Sequence, residues 1–261
     1  MLKVTRAEVM ARITDALRQA PDGLVATDGD GTLWTGDVGD DVFHAMLARG
    51  TMTQVARDAV RAVGRNHGVP DDESASRDKV AIERVYDAYK RGAFDERTMY
   101  ELQAIVFAGW QRADVDAFVM DVLAKEKLAD RIHPELARLV AWLAGQDVKV
   151  VLVSASPRYV VERAATFAGI DPREVVAVTP FWDDDVMIPD VLRPIPYDDG
   201  KVSGLRAHAG AGTLVAAFGD NAFDFAMLSE SRVPVAIRPK PRLAARAADL
   251  PRMVELERED P

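Results

Sequence analysis

Residues 37–127 contain no run of β-branched residues, although strand-like and helix-like segments flank them on both sides. Apolar residues recur there at three- and four-residue spacing: Val42, Met46 and Leu47; Val55, Ala59 and Val63; Met99, Leu102, Ile105 and Val106. That spacing lines up apolar side chains along one face of a helix. Gly50, Gly68, Gly92 and Gly109 punctuate the series. An all-helical block of this length has to bury its apolar faces against itself or against a neighbouring domain.

The flanking sequence has a different rhythm. Val4, Ala7, Met10, Ile13 and Leu17 predict an N-terminal helix ending near Pro21, with Thr5 and Glu8 spaced as a capping box. Leu24, Val25, Ala26 and Thr27 form an apolar run too short for a helix, which reads as a buried strand. Beyond the block, helices are expected at 134–143, 159–167 and 201–208, with a short one at 223–228. Strands are expected at 148–153, 175–178, 214–218 and, as the last of the chain, 233–237. The acidic, proline-rich stretch 183–196 reads as a hairpin or irregular arm. Alternating strands and helices imply a parallel sheet with right-handed crossovers. The expected fold class is α/β. A Rossmann-like core of residues 1–36 and 128–261 is interrupted by a helical domain at 37–127. The insertion follows the carboxyl end of the first strand, where such sheets keep their ligand sites, so it is placed as a lid.

Chemistry concentrates at the predicted strand ends. Asp28-Gly29-Asp30-Gly31-Thr32 follows the first strand directly. In an extended segment, residues two apart face the same way, so both carboxylates can address one point. One can act as nucleophile and the other as proton donor and acceptor. The two glycines let backbone N–H groups approach an anion. A second acidic strand end is Gly219-Asp220-Asn221-Ala222-Phe223-Asp224. Asp220 reads either as a helix cap or, if its strand lies beside the first, as a partner of Asp28. Clustered carboxylates repel one another unless a cation sits between them, and oxygen-only ligands favour Mg²⁺. Ser154 ends a strand before a helix, where it can cap that helix or bind an anion together with the following amides. Lys201 opens a helix and reads as a surface lysine or as a point charge for a phosphoryl oxygen.

Composition narrows the partners. The 261 residues carry 33 Lys+Arg against 42 Asp+Glu, a net charge of −9, which disfavours a nucleic-acid backbone or an anionic membrane as partner. There is no cysteine, hence no disulfide, zinc-thiolate site or cysteine nucleophile. The four histidines show no ligand spacing. The first residues lack the apolar core of a signal peptide, and no apolar stretch is long enough to span a bilayer, so a cytoplasmic location is expected.

Taken together, Asp28-x-Asp30-Gly31-Thr32, Ser154, Lys201 and Gly219-Asp220-x-x-x-Asp224 resemble the haloacid dehalogenase superfamily. The position of the helical insertion resembles its C1-capped branch, which includes phosphoserine phosphatase-like enzymes. The resemblance implies a phosphatase, with Asp28 attacking phosphorus and Asp30 acting as acid and then base. It implies Mg²⁺ held by Asp28, Asp220 and the Asp30 carbonyl. Thr32, Ser154, Ala155 and Lys201 would bind the phosphoryl group, and Asn221 and Asp224 would support the site. An aspartate at position 30 favours hydrolysis of the intermediate or its transfer to a second alcohol. The alternatives are a phosphotransferase or mutase, and a non-catalytic phosphate- or Mg²⁺-binding regulator on the same scaffold. In phosphoserine phosphatases a carboxylate at the position of Asp37 binds the substrate amine; Asp37 reads equally as a helix cap. The arginine those enzymes use for the substrate carboxylate falls on Met99 and Tyr100. The expected partner is a small phosphomonoester, with a phosphorylated amino alcohol as the first candidate and Trp34, Asp37, Met99 and Tyr100 as candidate specificity residues. An aromatic face in the helical block would suit an alkylammonium group.

Overall fold

The computed structural model describes residues 1–50, 52–70 and 78–259. The chain opens with β1 (Leu2–Val4), α1 (Arg6–Gln19) and β2 (Leu24–Thr27). The capping box of α1 forms: Thr5 Oγ1 accepts from the Glu8 amide at 3.3 Å, and the Glu8 carboxylate accepts from the Thr5 amide at 2.8 Å. Five helices follow, α2 (Val38–Arg49), α3 (Gln54–Asn66), α4 (Asp78–Lys90), α5 (Glu96–Ile105) and α6 (Arg112–Lys125). Then come α7 (Leu128–Arg131), α8 (Pro134–Ala144), β3 (Val150–Pro157), α9 (Arg158–Phe167), β4 (Val175–Val178), β5 (Pro180–Asp183) and β6 (Val186–Val191). The chain closes with α10 (Asp199–Ala209), β7 (Leu214–Gly219), α11 (Phe225–Glu230), β8 (Val233–Ile237), α12 (Pro241–Ala244) and β9 (Val254–Leu256). No helix among the described residues is long and apolar enough to cross a membrane.

Seven parallel strands form one sheet in the order β1-β9-β8-β7-β2-β3-β4. The fold is therefore α/β with helices flanking a parallel sheet. Side chains along β2 and β3 divide between two apolar layers. Val25 and Leu152 enter one, while Leu24, Ala26, Val151 and Val153 enter the other. Burial on both faces explains why these strands read as continuous apolar runs. Thr27 is in register with Leu152 on one side and Phe218 on the other. The ends of β7, β2 and β3 thus meet at the centre of the sheet's carboxyl edge.

Several boundaries depart from the sequence reading. The third strand starts at Val150 because the Val148 amide bonds back to Leu143 at the end of α8. It does not stop at Ser154 but runs to Pro157, which pairs with Val178 after a register shift. Helix α10 begins at Asp199, which places Lys201 in its first turn. A short 3-10 turn at Ala222–Asp224 precedes α11. Strand β8 is not the last, since β9 pairs with both β8 and β1. The proline-rich arm is an antiparallel hairpin of β5 and β6.

The two segments connecting the helical block to the sheet run side by side. The Thr35 amide donates to the Arg131 carbonyl at 3.0 Å, and Arg131 donates to the Thr35 carbonyl at 2.8 Å and to Asp41 at 2.6 Å. A separate attachment joins the α5–α6 loop to the β5–β6 hairpin. Gly109 N donates to Met187 O at 2.7 Å, Met187 N to Trp110 O at 3.0 Å and Arg112 N to Asp185 O at 2.8 Å. The Arg193–Glu101 ion pair at 2.7 Å reinforces it.

Candidate active site

The carboxyl edge of the sheet carries the site. After β2 the chain turns tightly, with the Thr32 and Leu33 amides both donating to Gly29 O at 3.0 and 2.8 Å. Gly31 adopts φ +82°, and a Cβ there would lie 2.2 Å from Asp220 Oδ2. Only glycine lets the backbone come this close to the neighbouring strand's carboxylate.

Asp28 is buried at the centre. Its Oδ1 accepts from Lys201 Nζ at 2.6 Å, and its Oδ2 accepts from the Thr32 hydroxyl at 3.3 Å. Lys201 also donates to Asp224 Oδ1 at 2.6 Å. The other oxygen of Asp224 accepts from the Asp220 and Asn221 amides at 3.0 and 2.9 Å, which fixes the turn after β7. Asp220 pairs through Oδ2 with Lys240 Nζ at 2.9 Å, while its Oδ1 is buried without a hydrogen-bond partner. Asp30 is held by three donors. Trp34 Nε1 and the Val38 amide reach Oδ1, both at 2.8 Å, and Ser156 Oγ reaches Oδ2 at 2.7 Å. Ser154 Oγ in turn accepts from the Ser156 amide at 3.0 Å.

Burial dominates the electrostatics. It raises Asp28 well above the ordinary carboxylate range, Asp224 adds repulsion, and Lys201 opposes both. Burial also raises Asp30, against the pull of its three donors. Asp220 is pushed up to about 6 by burial and by Asp224, with Lys240 and Lys201 counteracting. Asp37 rises well above its usual range through burial and the nearby Asp30 and Asp40. Burial alone would lower Lys201, but Asp224 and Asp28 outweigh it and hold the ammonium above its ordinary value.

One cavity gathers Asp28, Asp30, Ser154, Ala155, Lys201, Asp220, Asn221 and Asp224, the residues singled out at the strand ends. Asp37 and Tyr100 also line it, from the helical block. Asp37 caps α2, accepting from the Asp40 amide at 2.8 Å. Thr32 is fully buried and reaches Asp28 rather than the cavity. Trp34 is buried behind Asp30, and Met99 is buried on α5; neither lines the cavity. Four lining residues escaped the sequence reading: Ser156, Tyr197, Phe223 and Lys240. Ser156 lies two residues beyond Ser154 on the same strand, so the two-residue period pointed to it. Lys240 follows the carboxyl end of β8, another strand end of the same sheet.

Asp28, Asp220 and Asp224 each offer a carboxylate oxygen, all within 4.8 Å of one another. The donor set is all oxygen, and the partnerless Asp220 Oδ1 needs a counterpart in a buried place. Both facts fit a hard divalent cation such as Mg²⁺.

A family model described as haloacid dehalogenase-like hydrolase matches residues 25–229. No curated protein matches the chain. Among solved structures, a protein of unknown function from Bordetella pertussis Tohama I aligns with TM-score 0.65 at 17% identity, covering 89% of this chain and 97% of that one. A functionally unknown protein from Anaerococcus prevotii DSM 20548 gives 0.66 at 13% identity, over 95% and 91% of the two chains. A probable phosphoserine phosphatase from Vibrio cholerae gives 0.53 at 18% identity, over 89% of this chain and 59% of that one.

Proposed function

The chain belongs to the haloacid dehalogenase-like hydrolase family, and from that premise we propose that it is a Mg²⁺-dependent phosphomonoester hydrolase with Asp28 as nucleophile. The observation that carries this reading is the pairing of two carboxylates of unlike surroundings, the buried Asp28 and the half-buried Asp30, in one cavity. Asp28 is held by an ammonium through Oδ1, and its Oδ2 meets only the long Thr32 contact. That oxygen is the one free to bond phosphorus as the bond from phosphorus to the leaving oxygen breaks. Asp30 has its affinity for protons raised by burial. Its Oδ1 is occupied by two N–H donors that cannot accept, so a proton on Asp30 would sit on Oδ2, where the Ser156 hydroxyl can turn to accept it. From there it passes to the leaving alkoxide. The resulting Asp30 carboxylate then takes a proton from water as that water attacks the aspartyl-phosphate, releasing phosphate and restoring Asp28. Lys201 and Ser154, both lining the cavity beside Asp28, would hold phosphoryl oxygens. Mg²⁺ would be held by Asp28, Asp220 and the Asp30 carbonyl, and its chemistry is to screen the nucleophile's charge from the anionic phosphoryl group.

For the substrate we propose a small phosphorylated amino alcohol. Asp37, Tyr100, Tyr197 and Phe223 line the cavity, with the Tyr197 ring centroid 4.6 Å from that of Phe223 and 5.6 Å from that of Tyr100, both pairs tilted. A carboxylate beside aromatic rings suits an ammonium group. Among the described residues the lining holds no arginine, and its cations Lys201 and Lys240 belong to the Asp28–Asp220 cluster. The guanidinium groups nearest these rings, Arg97 5.3 Å from the Tyr197 centroid and Arg242 5.4 Å from the Phe223 centroid, pack against the rings and are not among the lining residues.

The test is a screen of small phosphomonoesters with and without Mg²⁺, reading released phosphate. Metal-dependent turnover that Asp28→Asn abolishes, with the fold intact by circular dichroism, is expected. Retained turnover in Asp28→Asn would remove the nucleophile. If phosphoethanolamine and phosphocholine are hydrolysed no faster than an aryl phosphate, the amino-alcohol assignment fails. Adding an acceptor alcohol separates hydrolysis from transfer, with free phosphate as the sole product expected.

A further inference from the structure

The cluster contains two ammonium groups, and they are held very differently. The Lys201 side chain is 4% exposed and locked at 2.6 Å between Asp28 and Asp224. The Lys240 side chain is 53% exposed and meets a single carboxylate, Asp220, at 2.9 Å. Its backbone is fixed: Pro239 and Pro241 flank it, and its amide donates to the Asp220 carbonyl at 2.8 Å. A long, flexible stem thus rises from a stiff base at the rim of the site.

Building on the Mg²⁺-dependent reading above, we propose that Lys240 is a built-in competitor for the divalent cation. It neutralises Asp220 in the metal-free protein and swings into solvent when the cation binds. The charge arithmetic favours this exchange. Asp28, Asp220 and Asp224 together face Lys201 and Lys240, leaving one net negative charge when all are ionised. A divalent cation added with Lys240 in place leaves one net positive charge, whereas the same cation with Lys240 withdrawn leaves the cluster neutral. Lys201 cannot make this move, because leaving would strand two buried carboxylates. Lys240 can, because about half of its side chain is already exposed, so the ammonium can reach water while the incoming cation takes its place on the buried Asp220. The arrangement gives the site a tolerable metal-free state at the expense of cation affinity.

The inference is tested on the full chain with Mn²⁺ as probe, by isothermal calorimetry and by electron paramagnetic resonance of free Mn²⁺. Lys240→Met is expected to bind Mn²⁺ about fivefold more tightly than the unaltered protein, the loss of a weak competing pair. Its metal-free melting temperature should fall, and its metal-induced rise should exceed that of the unaltered protein. Lys240→Gln provides the same test if the methionine variant does not fold. Unchanged or weaker Mn²⁺ affinity in these variants, beside clear binding by the unaltered protein, overturns the competitor role and leaves the Mg²⁺ reading standing. Absence of Mn²⁺ binding in the unaltered protein overturns both.

Discussion

Replacing Lys201 by methionine should be the most damaging single change to stability in the site. The side chain is buried, and its Nζ lies 2.6 Å from both Asp28 and Asp224. Methionine keeps most of the volume, so packing is nearly preserved and the charge is what is removed. Two carboxylates are then left buried without their cation, and removing one partner of a buried pair costs about 3–5 kcal/mol. At a urea m-value of about 3 kcal/mol/M, the unfolding midpoint should drop by about 1 to 1.7 M at neutral pH. The pH dependence has a definite sign. In the variant Asp28, which burial already raises, also loses the ammonium that opposed that rise. The fold therefore binds more protons than the unfolded chain, and the deficit grows as pH rises above about 4 and shrinks on acidification. Adding Asp224→Asn to the variant should recover part of the loss by removing one orphan. The assay is urea unfolding followed by tryptophan fluorescence at pH 5 and pH 8. A midpoint unchanged at pH 8, or a deficit larger at pH 5 than at pH 8, would refute the claim that Lys201 is a structural counterion.

Gly31→Ala should displace Asp220, since its new Cβ would lie 2.2 Å from Oδ2; turnover and Mn²⁺ affinity should both fall, and unchanged calorimetric titrations would count against the close-approach reading. Ser156→Ala removes the one donor on Asp30 Oδ2 that can reverse its role; hydrolysis of an alkyl phosphate should slow by about 10-fold or more, with a smaller effect on p-nitrophenyl phosphate, whose leaving group needs little protonation. Equal slowing of both substrates would argue for a purely structural serine. Thr5→Ala should cost about 1 kcal/mol by thermal unfolding through loss of the α1 capping box, with no change in turnover.

Much of the architecture was legible because its elements carry strong local signals. The apolar runs of β2, β3 and β7 reflect strands buried on both faces, and the helical block shows its period throughout. Strands β1 and β9 escaped because three residues, Leu2–Val4 and Val254–Leu256, are too few to display a period. They exist because β9 pairs with β8 on one side and, across most of the chain's length, with β1 on the other. At the site, Asp28, Asp30 and Asp220 stood out because acidic residues after apolar strands are conspicuous. Lys240 did not, since a lysine between prolines looks like any surface turn until the topology sets β8 beside β7. Thr32 and Trp34 show the opposite limit. Their positions in the motif were visible, but that one turns to Asp28 and the other to Asp30 depends on the turn between them.

The joint between the α5–α6 loop and the β5–β6 hairpin has a mechanical consequence. A body hung from the two adjacent connections near Thr35 and Arg131 would behave like a door, free to rotate about one line. The hairpin, bonded through Met187 and Asp185, adds a third point away from that line. Three such points leave a rigid body no axis to turn on. Any rotation of the helices about that line requires either that the hairpin travel with them or that these three backbone hydrogen bonds open. The hairpin is thus a third mount, set apart in the chain from the two connections it supplements.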